Sequence, residues 1–212
     1  MIINHKYKFI FIHVPKCAGT SIKRALYPYS DEYDQFLGGH PDAPDSEGGI
    51  HKHSTALEVK HFATIERWDS YFTFSFVRNP LARTVSLYNW WNQTKGNFDP
   101  KTKEEISKLS FKEFVFSNHT GSSQLEFLSS KSSKDTFVAD KNRIELDFIG
   151  KQETLPKDFA YLCGLFDLPN LNLGNYNVSN HDNKFFRDYY DDESRREIKR
   201  KFSEDFEFFN YG

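Results

Sequence analysis

The run Tyr7-Lys8-Phe9-Ile10-Phe11-Ile12-His13-Val14 is apolar on both faces for most of its length and is closed by Pro15. Aromatic and β-branched residues without polar alternation predict a strand buried on both sides, as in a parallel sheet. Small residues follow at 15–21, and helical spacing takes over at 21–26, ahead of Pro28. Strand, small-residue loop and helix form the first half of a βαβ unit. A second such run, 71–77, leads into Arg78-Asn79-Pro80. Proline suits the first turn of a helix, and the spacing predicts one from Pro80 to about residue 94. Leu81, Val85 and Tyr88 share one of its faces; Arg83, Ser86, Leu87 and Trp90 share another.

Elsewhere the pattern is weaker. Residues 30–54 contain Gly38-Gly39, Pro41, Pro44 and Gly48-Gly49 and read as a long loop, a feature that often carries function. A helix is expected over 55–65, capped by Ser54 or Thr55, with Leu57, His61, Phe62 and Ile65 along one side. Further helices are expected at 111–117, 124–128, 156–165 and 191–209, a solvated loop at 129–135 and a short strand at 147–150. No repeat or linker divides the chain, so the expectation is a single three-layer α/β/α domain over 1–212 around a central parallel sheet.

Composition narrows the function. The chain has 212 residues, enough for one domain with a proper core, and 17% are aromatic, which argues against disorder. Lys and Arg number 28 against 30 Asp and Glu, so a general basic coat for nucleic acid is excluded and no nucleic-acid partner is expected. Cys17 and Cys163, the only two cysteines, build neither a disulfide framework nor a zinc pattern. The apolar stretch at 9–12 is too short to span a membrane and, flanked by Lys8 and His13, too short for a signal peptide. The expected location is the cytoplasm, without an integral membrane segment.

The loop Pro15-Lys16-Cys17-Ala18-Gly19-Thr20-Ser21 carries the main chemical signal. It joins a buried strand to a helix N-terminus. Small residues let main-chain N–H groups approach an anion, the helix adds partial positive charge, Lys16 adds a full one, and Thr20 and Ser21 add hydroxyls. An ordinary strand-to-helix turn capped by Thr20 or Ser21 would use the same residue types. The nucleotide-hydrolase pattern G-x-x-x-x-G-K-[ST] fails, because Lys16 precedes Gly19. A C-x5-R phosphatase loop also fails: Lys23 stands where the arginine belongs, and Arg24 is one residue too far.

Pro15-Lys16-x-Ala-Gly-Thr-Ser resembles the 5′-phosphosulfate loop of the sulfotransferases that use 3′-phosphoadenosine 5′-phosphosulfate. The stretch from Phe76 to Tyr88 resembles their 3′-phosphate motif, R-[DN]-P-x-x-R-x-x-S-x-Y, through Arg78, Asn79, Pro80, Arg83, Ser86 and Tyr88. The likeness is to the carbohydrate-type and bacterial branch and extends weakly to 147–150, 189–191 and 209–212. It implies the P-loop-like sulfotransferase fold, with the donor held by Lys16, Cys17, Ala18, Gly19, Thr20, Ser21, Arg78 and Ser86. It also implies sulfuryl transfer to an acceptor hydroxyl, expected on a carbohydrate, with adenosine 3′,5′-bisphosphate as product, Lys16 meeting the leaving-group charge, and no metal. Independently of the family, Arg78 follows a strand's carboxyl end, where doubly wound folds bind ligands, and its fork suits a phosphate. Residues 78–95 hold Arg78, Arg83 and Lys95 with no acid before Asp99, a local anion-binding balance. Arg83 is expected to be a structural anchor.

Transfer to an alcohol needs a base, and histidine titrates in the right range. His51-Lys52-His53 leaves the glycine-rich loop just before the predicted helix and resembles the His-Gly-His of uronyl 2-O-sulfotransferases, with Lys52 in place of glycine. His53 is the expected base, His51 the second choice and Glu58 the fallback. A metal site built from His51, His53, Glu58 and His61 is not expected, since His53 and His61 stand more than two helical turns apart. His13 is expected to be packed. Two other activities fit less well: a kinase-like phosphoryl transferase, which lacks the usual lysine position and magnesium ligands, and a nucleotide-binding protein without catalysis.

Overall fold

The computed structural model describes residues 1–93, 99–129, 144–174 and 185–212. In chain order its elements are β1 (Ile2–Asn4), β2 (Phe9–Ile12), α1 (Gly19–Leu26), β3 (Gln35–Phe36), β4 (Ser46–Glu47), β5 (Ile50–His51), α2 (Ala56–Ala63), α3 (Ile65–Ser70), β6 (Phe72–Val77), α4 (Pro80–Gln93), α5 (Pro100–Ser107), α6 (Phe111–Phe116), α7 (Gln124–Leu128), β7 (Phe148–Lys151), α8 (Leu155–Leu165), α9 (Asp192–Lys201) and α10 (Ser203–Phe208). The chain forms two compact units, one of Met1–Val77 with Gln124–Asn177 and one of Arg78–Ser123 with Val178–Gly212. The expected loop at 129–135 lies mostly outside the described residues.

The first unit is built on a five-stranded sheet in the order β3-β1-β2-β6-β7. β2 and β6 pair in parallel, Phe9 opposite Phe72 and Ile12 opposite Ser75, and β6 pairs in parallel with β7. The expected central parallel sheet is present as β2, β6 and β7, and β1 adds an antiparallel edge to it, running antiparallel to both β2 and β3, so the sheet as a whole is mixed. The reason is local. Only residues 5–8 separate β1 from β2, and so short a connection permits only antiparallel pairing. Asn4 Oδ1 accepts from the Tyr7 N–H at 2.7 Å and Lys8 turns through φ 51°, which closes the hairpin and shortens the expected 7–14 strand to Phe9–Ile12.

Alternation along β2 sends Phe9 and Phe11 to one face and Ile10 and Ile12 to the other, and all four are buried. Phe9 and Phe11 join Phe74 and Phe76 of β6, Ile22 and Leu26 of α1, and Phe159 and Leu162 of α8 in one core cluster. Aromatic rings dominate it; Phe11 and Phe74 stack with centroids 5.1 Å apart. Gly150 is required by this packing, since a Cβ there would meet Phe76 Cδ1 at 2.7 Å. At the carboxyl end of the parallel strands Ser75 Oγ donates to Ile12 O at 2.7 Å, and at the other end Asp147 accepts from the N–H and hydroxyl of Thr73 at 2.7 and 2.9 Å.

Two expectations shift in this unit. The 30–54 segment contains the short strand β3 and the β4–β5 hairpin, Ser46 opposite His51. The expected 55–65 helix stops at Ala63, because Thr64 adopts φ 69° and ψ 153° and α3 begins after it. Its buried face is Ala56, Val59 and Ala63, while Ile65 is exposed; the larger apolar residues misdirected the sequence reading. Thr55 caps α2 in a reciprocal box with Glu58.

In the second unit Leu81 and Val85 of α4 pack with Val115 of α6, Tyr190, and Ile198 and Phe202 of α9. Asn79 Oδ1 accepts from the Leu81 N–H at 3.0 Å and so caps α4, with Pro80 as its first residue. Asp191 caps α9 through Ser194, and the expected 191–209 helix is interrupted at Phe202, giving α9 and α10. The sequence reading missed α5, which Asp99 caps. Among the described residues no helix is long and apolar enough to cross a membrane.

Candidate active site

After β2 the chain passes His13, Val14 and Pro15 and enters the loop. Lys16 and Ala18 both take left-handed backbone conformations, φ 68° and 63°. Non-glycine residues avoid this region at a cost of about 1–2 kcal/mol each, and such strain gathers at ligand sites when the surroundings hold it in place. What holds it here is Cys17. Its buried side chain donates to Gln124 Oε1 at 3.2 Å and contacts Pro15 O at 3.6 Å, pinning the loop from within. Cys17 can therefore offer a ligand only its main-chain N–H. Gln124, fully buried on α7, gave no sequence signal, being 107 positions away.

The loop opens onto α1. Ala18 is the N-cap residue, with no side-chain hydrogen bond to the helix end and no acid in the first turn. The first helical N–H groups of Gly19, Thr20 and Ser21 have no intrahelical acceptor. α2, α6 and α9 start in capping boxes, whereas α1, like α3, α8 and α10, has no side-chain cap on its first N–H groups. Thr20 is half-exposed beside them and Ser21 is buried. Lys16 is half-buried at the loop's bend. This arrangement can hold an anion through main-chain donors and helix charge.

The histidines lie in the same unit. His53 Nδ1 is 3.1 Å from His13 O, and the two rings stand 4.3 Å apart at 51°. His51, exposed on β5, accepts from the His53 N–H through Nδ1 at 3.0 Å, while its own N–H donates to Ser54 Oγ at 3.0 Å. Burial lowers the His53 pKa to about 3, opposed by its hydrogen bond to His13 and helped by Lys23, the Met1 amine and Lys52. His13, buried where His53 is half-buried, is pushed well down by burial and then by Lys23. Lys23 is itself lowered to about 7 by burial and by Lys52; its Nζ donates to Leu37 O at 2.8 Å. Lys52 pairs with Asp45 at 2.7 Å. The sequence reading did not foresee these amines around His53, of which Lys23 and the Met1 amine are themselves pushed toward their neutral forms, chiefly by burial. Glu58 is committed to the α2 cap, accepting from the Thr55 N–H at 2.6 Å. Among the described residues no group of three or more His, Cys, Asp or Glu side chains is placed to hold a metal ion.

In the second unit Arg78 is half-buried and directly follows the end of β6. Arg83 is buried on α4, and its Nη1 donates to Ser122 O at 2.9 Å, which anchors the segment before α7. Ser86 is buried one turn further along α4. Lys95 lies outside the described residues.

Residues 1–212 match the model of the Sulfotransferase family. Carbohydrate sulfotransferase 10 of Xenopus laevis is 24% identical over 248 residues, spanning 100% of this chain and 67% of that protein. Carbohydrate sulfotransferase 10 of Danio rerio is 22% identical over 242 residues, spanning 97% and 64%. An uncharacterized protein of Archaeoglobus fulgidus is 33% identical over 102 residues, 48% of this chain and 72% of that one. The chain thus spans about two thirds of the length of the two carbohydrate sulfotransferases. No solved structure matches it significantly. With a family match over its whole length, a strained loop opening on a bare helix end, and a parallel strand pair leading into that loop, the chain belongs to the sulfotransferase family of enzymes.

Proposed function

We propose that this protein transfers a sulfuryl group from 3′-phosphoadenosine 5′-phosphosulfate to a hydroxyl group of a carbohydrate. The observation that carries the reading is the loop: Lys16 and Ala18 are held left-handed in front of an uncapped helix N-terminus. Strain of this kind serves an anion that main-chain donors must surround. The phosphosulfate end is assigned to the N–H groups of residues 17–21, the Thr20 hydroxyl and Lys16. Arg78 and Ser86 are assigned to the 3′-phosphate on the strength of their motif. Carbohydrate as acceptor follows the names of the two vertebrate relatives.

The chain's residues divide the work. The loop fixes the donor so that attack can be in line. Lys16 meets the negative charge that grows on the leaving phosphate oxygen. His53 takes the proton of the acceptor hydroxyl, with His51 holding the main chain of residue 53 from the other side. A pKa of about 3 makes a weak base; burial is its main cause, and positive charge on Lys23, the Met1 amine and Lys52 adds to it. An anion at the loop offsets those charges and so raises His53 toward the range where it accepts protons well.

Calorimetric titration with adenosine 3′,5′-bisphosphate, against magnesium-ATP as control, tests the donor assignment. Micromolar binding of the bisphosphate with weak ATP binding is expected. Preference for magnesium-ATP would favour a kinase-like phosphoryl transferase instead.

A further inference from the structure

His13 takes no part in the chemistry proposed above, yet it touches both halves of it. It is buried, 6% exposed, in the stretch between β2 and the loop. One side of its ring lies against Gly19, where a Cβ would meet His13 Cγ at 2.6 Å and the ring's outer atoms closer still. Gly19 is helical and has no positive φ, so its backbone does not require glycine; the ring does. The same ring also meets that of His53, with centroids 4.3 Å apart at 51°. Phe11 backs it, nearly parallel at 18°. The ring is therefore confined and cannot yield as a flexible side chain would.

The main chain of His13 does a second job. Its carbonyl lies 3.1 Å from His53 Nδ1, and a carbonyl can only accept. Nδ1 of His53 consequently carries the hydrogen, and Nε2 carries the lone pair. We infer that His13 is a positioning residue for the transfer: its ring is a wedge that sets the distance between Gly19 and His53, and its carbonyl fixes the tautomer that leaves His53 Nε2 as the accepting nitrogen. The inference rests on the reading of His53 as base. The nitrogens of His13 are not needed for it: Nδ1 is buried with no hydrogen-bond partner.

The wedge makes a prediction that a loosely structural role does not. With fold verified by circular dichroism, turnover, acceptor KM and bisphosphate affinity are compared for His13→Phe, His13→Ala, Gly19→Ala and the double variant His13→Ala/Gly19→Ala. His13→Ala should lower kcat at least about tenfold with acceptor KM nearly unchanged. It should also move the acid limb of kcat/KM to higher pH, because His53 becomes hydrated while Lys23, Lys52 and the Met1 amine still face it. His13→Phe, which keeps a flat ring, should restore most of the lost kcat. Gly19→Ala should weaken bisphosphate binding at least about tenfold, and removing the His13 ring in the double variant should recover most of that loss. If His13→Phe is as impaired as His13→Ala, the nitrogens matter and the wedge is wrong. If the double variant binds no better than Gly19→Ala, the ring is not what requires glycine. The base assignment fails separately, if His53→Gln keeps full kcat; the affinity comparison at residues 13 and 19 does not depend on it.

Discussion

At the scale of single residues, chemistry and backbone strain meet in the loop. Lys16 and Ala18 are held left-handed although neither is glycine, and Cys17 turns inward to Gln124. Residue types alone made the anion loop legible: small side chains, one lysine and two hydroxyls before a helix. They could not show that Cys17 points into the core, because its partner is distant in sequence. They also hid the cations facing His53, since Lys23 looks like any helical lysine until the packing buries it. His53→Gln should lower kcat about 10²–10⁴-fold, the usual worth of a positioned base, with bisphosphate affinity little changed. Arg78→Ala should weaken the bisphosphate by tenfold or more, as loss of a charge-assisted contact to phosphate does. Unchanged affinity in calorimetry would remove Arg78 from the 3′-phosphate.

At the scale of elements, helix starts divide into capped and uncapped: α3, α8 and α10, like α1, have no side-chain cap, so what sets α1 apart is the strained, lysine-bearing loop before it. α2, α6 and α9 carry reciprocal caps, whereas α1 has none. Thr55→Ala should therefore cost about 1 kcal/mol of stability, read from chemical denaturation, while leaving bisphosphate affinity intact. Thr64 presents the opposite case. Its φ of 69° with ψ of 153° belongs to a region that is nearly glycine's alone, so Thr64→Gly should stabilise by about 1 kcal/mol despite the added chain entropy. The sequence reading placed most helices within a few residues, because caps and apolar spacing are local. It carried α2 through Thr64, since nothing in the residue type announces a left-handed threonine.

At the scale of the whole molecule, the parallel strands were legible from their unbroken apolar runs, and the antiparallel β1 was not, because a run as short as Ile2–Asn4 reads as a terminus. His53, half-buried, and His13, buried, also set a global pH response. For His53 the folded pKa of about 3 lies below the ordinary 6.5, so the unfolded chain binds the extra proton between those values. Stability should rise with pH across that window, and His13 acts in the same direction. Denaturation midpoints measured from pH 4 to 7 should climb, and less steeply in His53→Gln; an equal slope in both would deny His53 its burial. The central claim is sulfuryl transfer. Its most direct test is incubation of the purified protein with sulfur-35-labelled 3′-phosphoadenosine 5′-phosphosulfate and a panel of unsulfated glycans, alongside Lys16→Ala. The account predicts labelled glycan from the natural protein, loss of nearly all of it in Lys16→Ala, and one adenosine 3′,5′-bisphosphate released per sulfuryl group transferred. Bisphosphate binding without label in any glycan, or label undiminished in Lys16→Ala, would contradict it.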